Sequence, residues 1–334
     1  MSNLPLLTIV VPCYNEQEVL EETVKQIGGL LQDLMQEALV SIESAILFVD
    51  DGSRDETWNL IKTYNHSYSY VRGLKLAKNA GHQNALLAGL MSAKEYSDCV
   101  VSIDADLQDD VRAIREFVIK YREGFDVVYG IRKSRTTDTF FKKYTAQTFY
   151  KLMIKMGVNI HHDHADYRLM SRRVLNELDK FSEVNIFLRG IVPLIGYPST
   201  KVYYDRLERF AGESKYPLKK MLSFALDGIT SFSVKPIRYV TLIGFVTVAI
   251  SLAAAIYAIG SKILGNPLSG WPSLMLSIWI VGGLQLVALG LIGEYVGKIY
   301  KEVKRRPNYF VEEILENEKA LGNKGLQSNP VNVT

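Results

Sequence analysis

The sequence has little cysteine and almost no net charge. Cys13 and Cys99 are its two cysteines, and no spacing pairs them. That argues against a disulfide framework or a thiolate zinc site and suits a reducing compartment. A net charge of +3 is too small to point to nucleic acid. No G-x-G-x-x-G and no G-x-x-x-x-G-K-[ST] occurs, which disfavours a dinucleotide cofactor and a P-loop. The opening MSNLPLLTIVVPCYNE has no basic leader and no long apolar stretch, so it reads as a first strand rather than a signal peptide. Internal repeats are missing as well.

Long uncharged runs are present, but only near the C-terminus. Tyr239–Gly260 and Trp271–Gly293 contain no Asp, Glu, Lys or Arg. At about 1.5 Å per helical residue, each exceeds the roughly 30 Å of a bilayer core. Lys235 and Arg238 precede the first run; Lys298, Lys301, Lys304, Arg305 and Arg306 follow the second; the short connection has a single lysine. The positive-inside rule makes both outer flanks cytoplasmic, giving a helical hairpin with most of the protein inside and Trp271 as an interfacial anchor. A segment at 216–236, with Leu218, Met221, Leu222, Ala225, Leu226 and Ile229 on one side and Lys219 and Lys220 nearby, reads as a helix lying on the membrane surface.

The chain before these runs alternates strand and helix patterns: LLTIVVP, SAILFVDDGS, VRGLKLA, DCVVSIDAD and FDVVYGIR are separated by single helices. The expected class is α/β with a mainly parallel sheet covered on both faces. Expected helices include Glu16–Met35 capped by Asn15, Asp55–Tyr64 capped near Ser53, Val111–Arg122 and Phe140–Met156. The tail from Glu312 reads as a charged helix running into polar sequence. Ligands of such sheets bind beyond the carboxyl ends of the strands, which singles out PCYNE, DDGS, KNAGHQN and DADLQDD.

The last of these gathers Asp104, Asp106, Asp109 and Asp110. If the strand continues, Asp104 and Asp106 project to one side, with Gln108 on the same parity. Carboxylates so placed repel unless a cation lies between them, and Mg²⁺ or Mn²⁺ prefers oxygen ligands and bridges to a diphosphate. Asp109 and Asp110 read as the start of the next helix. Asp51 sits where a base or ribose would bind, Asn15 and Glu16 are polar readers, and Pro12 offers an apolar wall. The HHDH run, His161–His164, lacks a fourth ligand and reads as a solvated loop.

IVVPCYNEQE, FVDDGSRDET, NAGHQNALLAGL, SIDADLQDD, ADYRLMSRRV and RFAGESKYPLKKML, followed by two apolar runs, resemble the polyisoprenyl-phosphate glycosyltransferases of glycosyltransferase family 2. Among these the similarity is greatest to the bacterial undecaprenyl-phosphate (bactoprenol) glucosyltransferases. The resemblance spans about 300 residues in order. It implies a GT-A fold, a UDP-sugar donor, a Mg²⁺ or Mn²⁺ ion, and inverting transfer of a sugar to undecaprenyl phosphate at the cytoplasmic face of the bacterial inner membrane. Glucose is the expected sugar, with GlcNAc, galactose and mannose open. The product would serve cell-envelope glycan modification. Relatives suggest a homotetramer.

By the same resemblance, Pro12, Tyr14, Asn15, Glu16 and Asp51 match nucleoside-binding positions. Asp104 and Asp106, with Gln108, match the metal and diphosphate motif. Asp166 matches the essential acidic position, as a base or an orienting group. Arg132, Arg135 and Arg168 match basic positions near the phosphates, and Arg209, Ser214 and Lys215 the stretch that closes over the site. The family usually has Gly-Asp-Phe-Arg where this chain has Ala165-Asp166-Tyr167-Arg168, which leaves the loop geometry open. The expected organisation is a catalytic domain over 1–215, a juxtamembrane region over 216–236, spans over 237–261 and 271–296, and a cytoplasmic tail over 297–334. A processive polysaccharide synthase would carry a Q-x-x-R-W-type motif, which Trp58, Trp271 and Trp279 do not form. A non-enzymatic membrane scaffold is opposed by the intact carboxylate set.

Overall fold

A computed structural model describes residues 4–133, 164–181, 183, 188–205, 235–263 and 270–316. The expected helix at 140–156, residues 216–234 of the surface segment expected at 216–236, His161–Asp163, and the site candidates Arg135, Arg209, Ser214 and Lys215 lie outside the described residues.

β1 (Leu7–Cys13) is fully buried and apolar apart from Thr8, whose hydroxyl bonds that of Ser97 at 2.6 Å, as suits a strand covered on both faces. It is flanked in parallel by β2 (Ala45–Asp50) and β4 (Cys99–Ser102), and β2 by β3 (Val71–Leu76). The helices α1 (Leu20–Gln36), α2 (Thr57–Ser67), α3 (His82–Lys94) and α4 (Ala113–Arg122) connect or follow these strands. Leu20, Val24, Ile27, Leu31 and Leu34 repeat at helical spacing on α1 and are buried against Leu7, Ile9, Val11, Ile46 and Phe48. On the opposite face α3 approaches so closely that a Cβ at Gly89 would lie 2.5 Å from Val10.

β5 (Val127–Arg132), β6 (His164–Ser171) and β7 (Ser199–Tyr204) extend the sheet, with α5 (Arg172–Leu178) and α6 (Leu188–Ile195) between β6 and β7. The strand order is β7-β5-β6-β4-β1-β2-β3-β8, where β8 is Val311–Leu315, with β6 antiparallel to both β4 and β5. β6 therefore ends the parallel run and brings Arg168 opposite Ser102 at the end of β4.

The outermost strand corrects the expectation for the tail. Val311–Leu315 is not helical; it forms β8, antiparallel to β3. Its acidic residues find partners there: Trp58 and Lys62 of α2 for Glu313, and Lys75 of β3 for Glu312.

The chain divides into two compact units, one built on the sheet and including β8, the other containing α7 (Lys235–Ile263) and α8 (Trp271–Lys304). Both helices are long and apolar enough to cross a membrane. Phe245, Ile250, Trp279 and Leu286 are exposed along them, as lipid-facing side chains would be. α8 continues past the expected end at 296 and stops where Arg305 turns left-handed at φ 47°.

Candidate active site

The described site residues gather beyond the carboxyl ends of β1, β2 and β4, where an open α/β sheet places its ligand crevice. Pro12 lies within β1 opposite Val49 and is buried, whereas Tyr14 stands exposed at the rim. Asn15 adopts φ 55° and does not cap α1, which starts only at Leu20. Instead its side-chain oxygen accepts the Arg54 N–H at 2.9 Å, while its own N–H donates to Ser53 Oγ at 3.0 Å. The Glu16 N–H donates to Thr57 Oγ1 at 2.9 Å. These bonds knit the YNE loop to the DDGSRD loop, and Ser53 serves that junction rather than a cap on α2.

Asp51 is 3% exposed. Its carboxylate accepts the backbone N–H groups of Ala80 at 2.6 Å and Gly81 at 3.0 Å. Burial raises its pKa, and these two bonds oppose the rise. Gly52 makes the approach possible: at φ +66°, a Cβ there would sit 2.7 Å from Asn79 N. The acidic turn after β2 thus fixes the loop that leads into α3.

β4 ends at Ser102, so Asp104 and Asp106 occupy the turn beyond it. Alternation nonetheless persists: Ile103, Ala105 and Leu107 are buried, and Asp104 and Asp106 are partly exposed. Thr23 of α1 anchors the turn by donating to the Ala105 carbonyl at 2.8 Å. The parity expected for Gln108 does not hold. Leu107 turns left-handed at φ 54°, and Gln108 is buried, its backbone N–H donating to Asp106 Oδ1 at 3.2 Å. Desolvation, and behind it the charges of Asp166, Asp109 and Asp106, push the Asp104 carboxyl up to about 6, with His82 opposing. Repulsion within the acidic run, from Asp109 and Asp106, is thus a lesser contributor than burial. Among the described residues, no three His, Cys, Asp or Glu side chains converge into a closed metal cage. Two partly exposed carboxylates are nevertheless a hard oxygen donor set, suited to a Mg²⁺ or Mn²⁺ ion that completes its shell with diphosphate and water.

The two following aspartates part company. Asp110 does serve the helix start, accepting from the backbone N–H and guanidinium of Arg112. Asp109 does not: it is 2% exposed and accepts from Arg132 at 2.8 Å and from the Tyr204 hydroxyl at 2.6 Å. Arg132, expected near a phosphate, is thereby tied to the aspartate. Tyr167 packs edge-on against Tyr204, and its hydroxyl donates to the Asp110 carbonyl at 2.8 Å. A tyrosine thus fits where the family usually has phenylalanine, because its extra oxygen has an acceptor.

Asp166 accepts on both carboxylate oxygens. It is 4% exposed. Oδ1 accepts from Arg168 Nη2 at 2.7 Å and Arg189 Nε at 3.2 Å. Oδ2 accepts from Arg189 Nη2 at 2.9 Å and Gln83 Nε2 at 3.1 Å. The His82 imidazole bridges two acids, 3.6 Å from Asp104 and 3.7 Å from Asp166. Burial acts to raise the Asp166 pKa, but His82, Arg189 and Arg168 prevail and hold it well below the usual carboxylate range. Arg168 is 2% exposed and faces Asp166 and the Leu188 carbonyl. His82, Gln83 and Arg189 are partners that sequence reasoning does not name. The KNAGHQN loop is singled out by its place after β3, but Arg189 follows a stretch with no motif.

The model of the family described as "Glycosyl transferase family 2" matches residues 8–179. The uncharacterized glycosyltransferase YkoT of Bacillus subtilis (strain 168) is 59% identical over 314 residues, covering 94% of this chain and 93% of that one. The SfII prophage-derived bactoprenol glucosyl transferase of Shigella flexneri is 39% identical over 308 residues, covering 92% and 97%. The bactoprenol glucosyl transferase of Shigella phage SfV is 39% identical over 315 residues, covering 94% and 99%. The fold is of the GT-A type, a mainly parallel α/β sheet with its acidic pair beyond β4. A match across half the chain, and relatives aligned over nearly all of it, make this protein a glycosyltransferase: it belongs to glycosyl transferase family 2.

Proposed function

We propose that the protein transfers glucose from UDP-glucose to undecaprenyl phosphate at the cytoplasmic face of the membrane, with inversion at the anomeric carbon. The observation that carries this reading is the pair Asp104 and Asp106 on a family 2 sheet whose chain also holds two helices long enough to span a bilayer. Similarity to bactoprenol glucosyl transferases over more than nine-tenths of the chain supports a polyprenyl acceptor.

The residues divide the work. Asp104 and Asp106 would hold a divalent ion, which would supply positive charge against the departing diphosphate. The Tyr14, Asn15 and Asp51 region receives the nucleoside. An oxygen of the acceptor phosphate attacks the anomeric carbon on the face opposite the diphosphate; the C–O bond to the donor breaks, and UDP leaves with the electron pair. The acceptor is already anionic at neutral pH, so no strong base is required. Asp166, with both oxygens occupied by donors, serves as an orienting group.

Connectivity supports the membrane topology. β8 follows α8 yet belongs to the same sheet as β1–β7, so the chain between them crosses a bilayer an even number of times. The test is purified full-length protein with undecaprenyl phosphate and a panel of nucleotide sugars, the lipid product read by mass spectrometry. Glucosylated lipid from UDP-glucose is expected. Transfer from another donor only, or to no lipid phosphate, would overturn the assignment.

A further inference from the structure

The segment that carries Arg189 is held at three points. The Leu188 N–H donates to Gln83 Oε1 at 3.2 Å, and the Leu188 carbonyl accepts from Arg168 Nη1 at 3.2 Å. Both backbone groups of the residue before Arg189 are thus fixed. The guanidinium of Arg189 is then gripped by Asp166 through Nε and Nη2. Gln83 joins the two halves, since its amide nitrogen donates to Asp166 while its amide oxygen accepts from Leu188. Such bracketing removes the rotamer freedom that an arginine otherwise loses on meeting a ligand.

Charge gives the bracket a purpose. Asp166 faces the two guanidiniums of Arg168 and Arg189. Arg168 is 2% exposed, but Arg189 is 33% exposed. His82 bridges from this cluster to Asp104. A planar, preorganised guanidinium suits a phosphate oxygen. We propose that Arg189 is a phosphate contact of the active site and that Gln83 is its positioning residue. The inference rests on the function proposed above. The phosphate belongs either to the donor diphosphate or to the lipid acceptor.

A double-mutant cycle on the full-length protein tests it. Arg189→Gln, Gln83→Met and the double variant are compared with wild type, varying UDP-glucose and undecaprenyl phosphate separately. Equilibrium binding of UDP, and of undecaprenyl phosphate against undecaprenol in nanodiscs, is measured alongside thermal unfolding. Arg189→Gln is expected to weaken one phosphate-bearing ligand about tenfold or more. A UDP effect identifies the donor phosphate, and a loss confined to undecaprenyl phosphate identifies the acceptor. Gln83→Met is expected to weaken the same ligand by a smaller factor, and to add nothing on the Arg189→Gln background. Arg189→Lys serves if Arg189→Gln does not fold; loss on the same ligand is expected, because an ammonium cannot reproduce the two-pronged hold. Unchanged affinity for both ligands on altering Arg189 would overturn the proposal, as would Gln83 and Arg189 effects that add in full. A wild type that binds these phosphates but transfers no glucose would sink the assigned reaction and leave the Arg189 comparison intact.

Discussion

Trp58 donates its indole N–H to the Glu313 carboxylate at 3.0 Å, across 255 positions of sequence. Lys62 pairs with the same carboxylate at 2.9 Å. This contact fastens β8 to α2, and it predicts that Glu313→Ala loosens the strand locally. Deuterium uptake should rise at residues 311–315 while β1 and β2 keep their protection. Equal protection in variant and wild type would show the contact to be incidental.

Asp104→Ala should lower glucosyl transfer by about a hundredfold or more, with thermal unfolding close to wild type, because the proposed ion ligand lies on a partly exposed turn and not in the core. Chelation of the wild type should abolish transfer, and added Mg²⁺ or Mn²⁺ should restore it. Full activity in EDTA would exclude a metal role for the pair.

Asp166 sets a pH signature. Its pKa is depressed in the folded protein, although burial opposes the shift. A depressed carboxyl stabilises above its unfolded value of about 3.9, and the contribution is lost as pH falls through the folded value. Asp166→Asn should therefore cost about 3–5 kcal/mol at neutral pH, since it strands the buried Arg168. The gap from wild type should widen as pH falls through the titration of His82, whose pKa burial would lower but Asp166 raises, and should close only below about pH 4, as Asp166 itself is protonated. Urea unfolding across that range checks the sign; a gap that keeps widening below about pH 4 would contradict it.

Gly52→Ala should destabilise the protein by about 1–2 kcal/mol from the left-handed backbone alone, and by more because the new methyl meets Asn79 N. The same displacement moves the loop that precedes His82, so activity should fall further than stability explains. Melting temperature and kcat/KM, measured together, separate the two effects.

Cys13 and Cys99 are buried, and burial pushes both thiols up. They should stay silent toward a membrane-impermeant maleimide. Asn266→Cys, between α7 and α8, should label from outside intact cells, whereas Ser41→Cys should label only after lysis. Labelling of Asn266→Cys from the inside would contradict the hairpin orientation.

Much of this architecture is legible in the sequence because β1 to β5 are largely apolar and are bounded by polar turns. The acidic turn after β4 stands out too, since four carboxylates crowded at a strand end repel one another and call for a cation or basic partners. β8 is hidden because VEEIL carries two acids in five residues, and its partners Trp58, Lys62 and Lys75 lie far away in sequence. Asp109 is misleading for the same reason: its partners Arg132 and Tyr204 sit on β5 and β7. Leu107 breaks the alternation expected to carry Gln108, which a pattern of residue types does not encode. Gln83 and Arg189 emerge only once β6 brings Asp166 between them.

β3 is covered by a short acidic edge strand, β8, whose residues leave the ribosome after both apolar helices have been made. Until β8 arrives, β3 presents an unpaired row of backbone groups, the kind of open edge that invites aggregation. Synthesis of the catalytic unit is thus not finished when its nucleotide loops are finished. Its last strand waits on α7 and α8, so a chain stalled before residue 311 would retain every described acidic residue of the site and still display a raw β-edge.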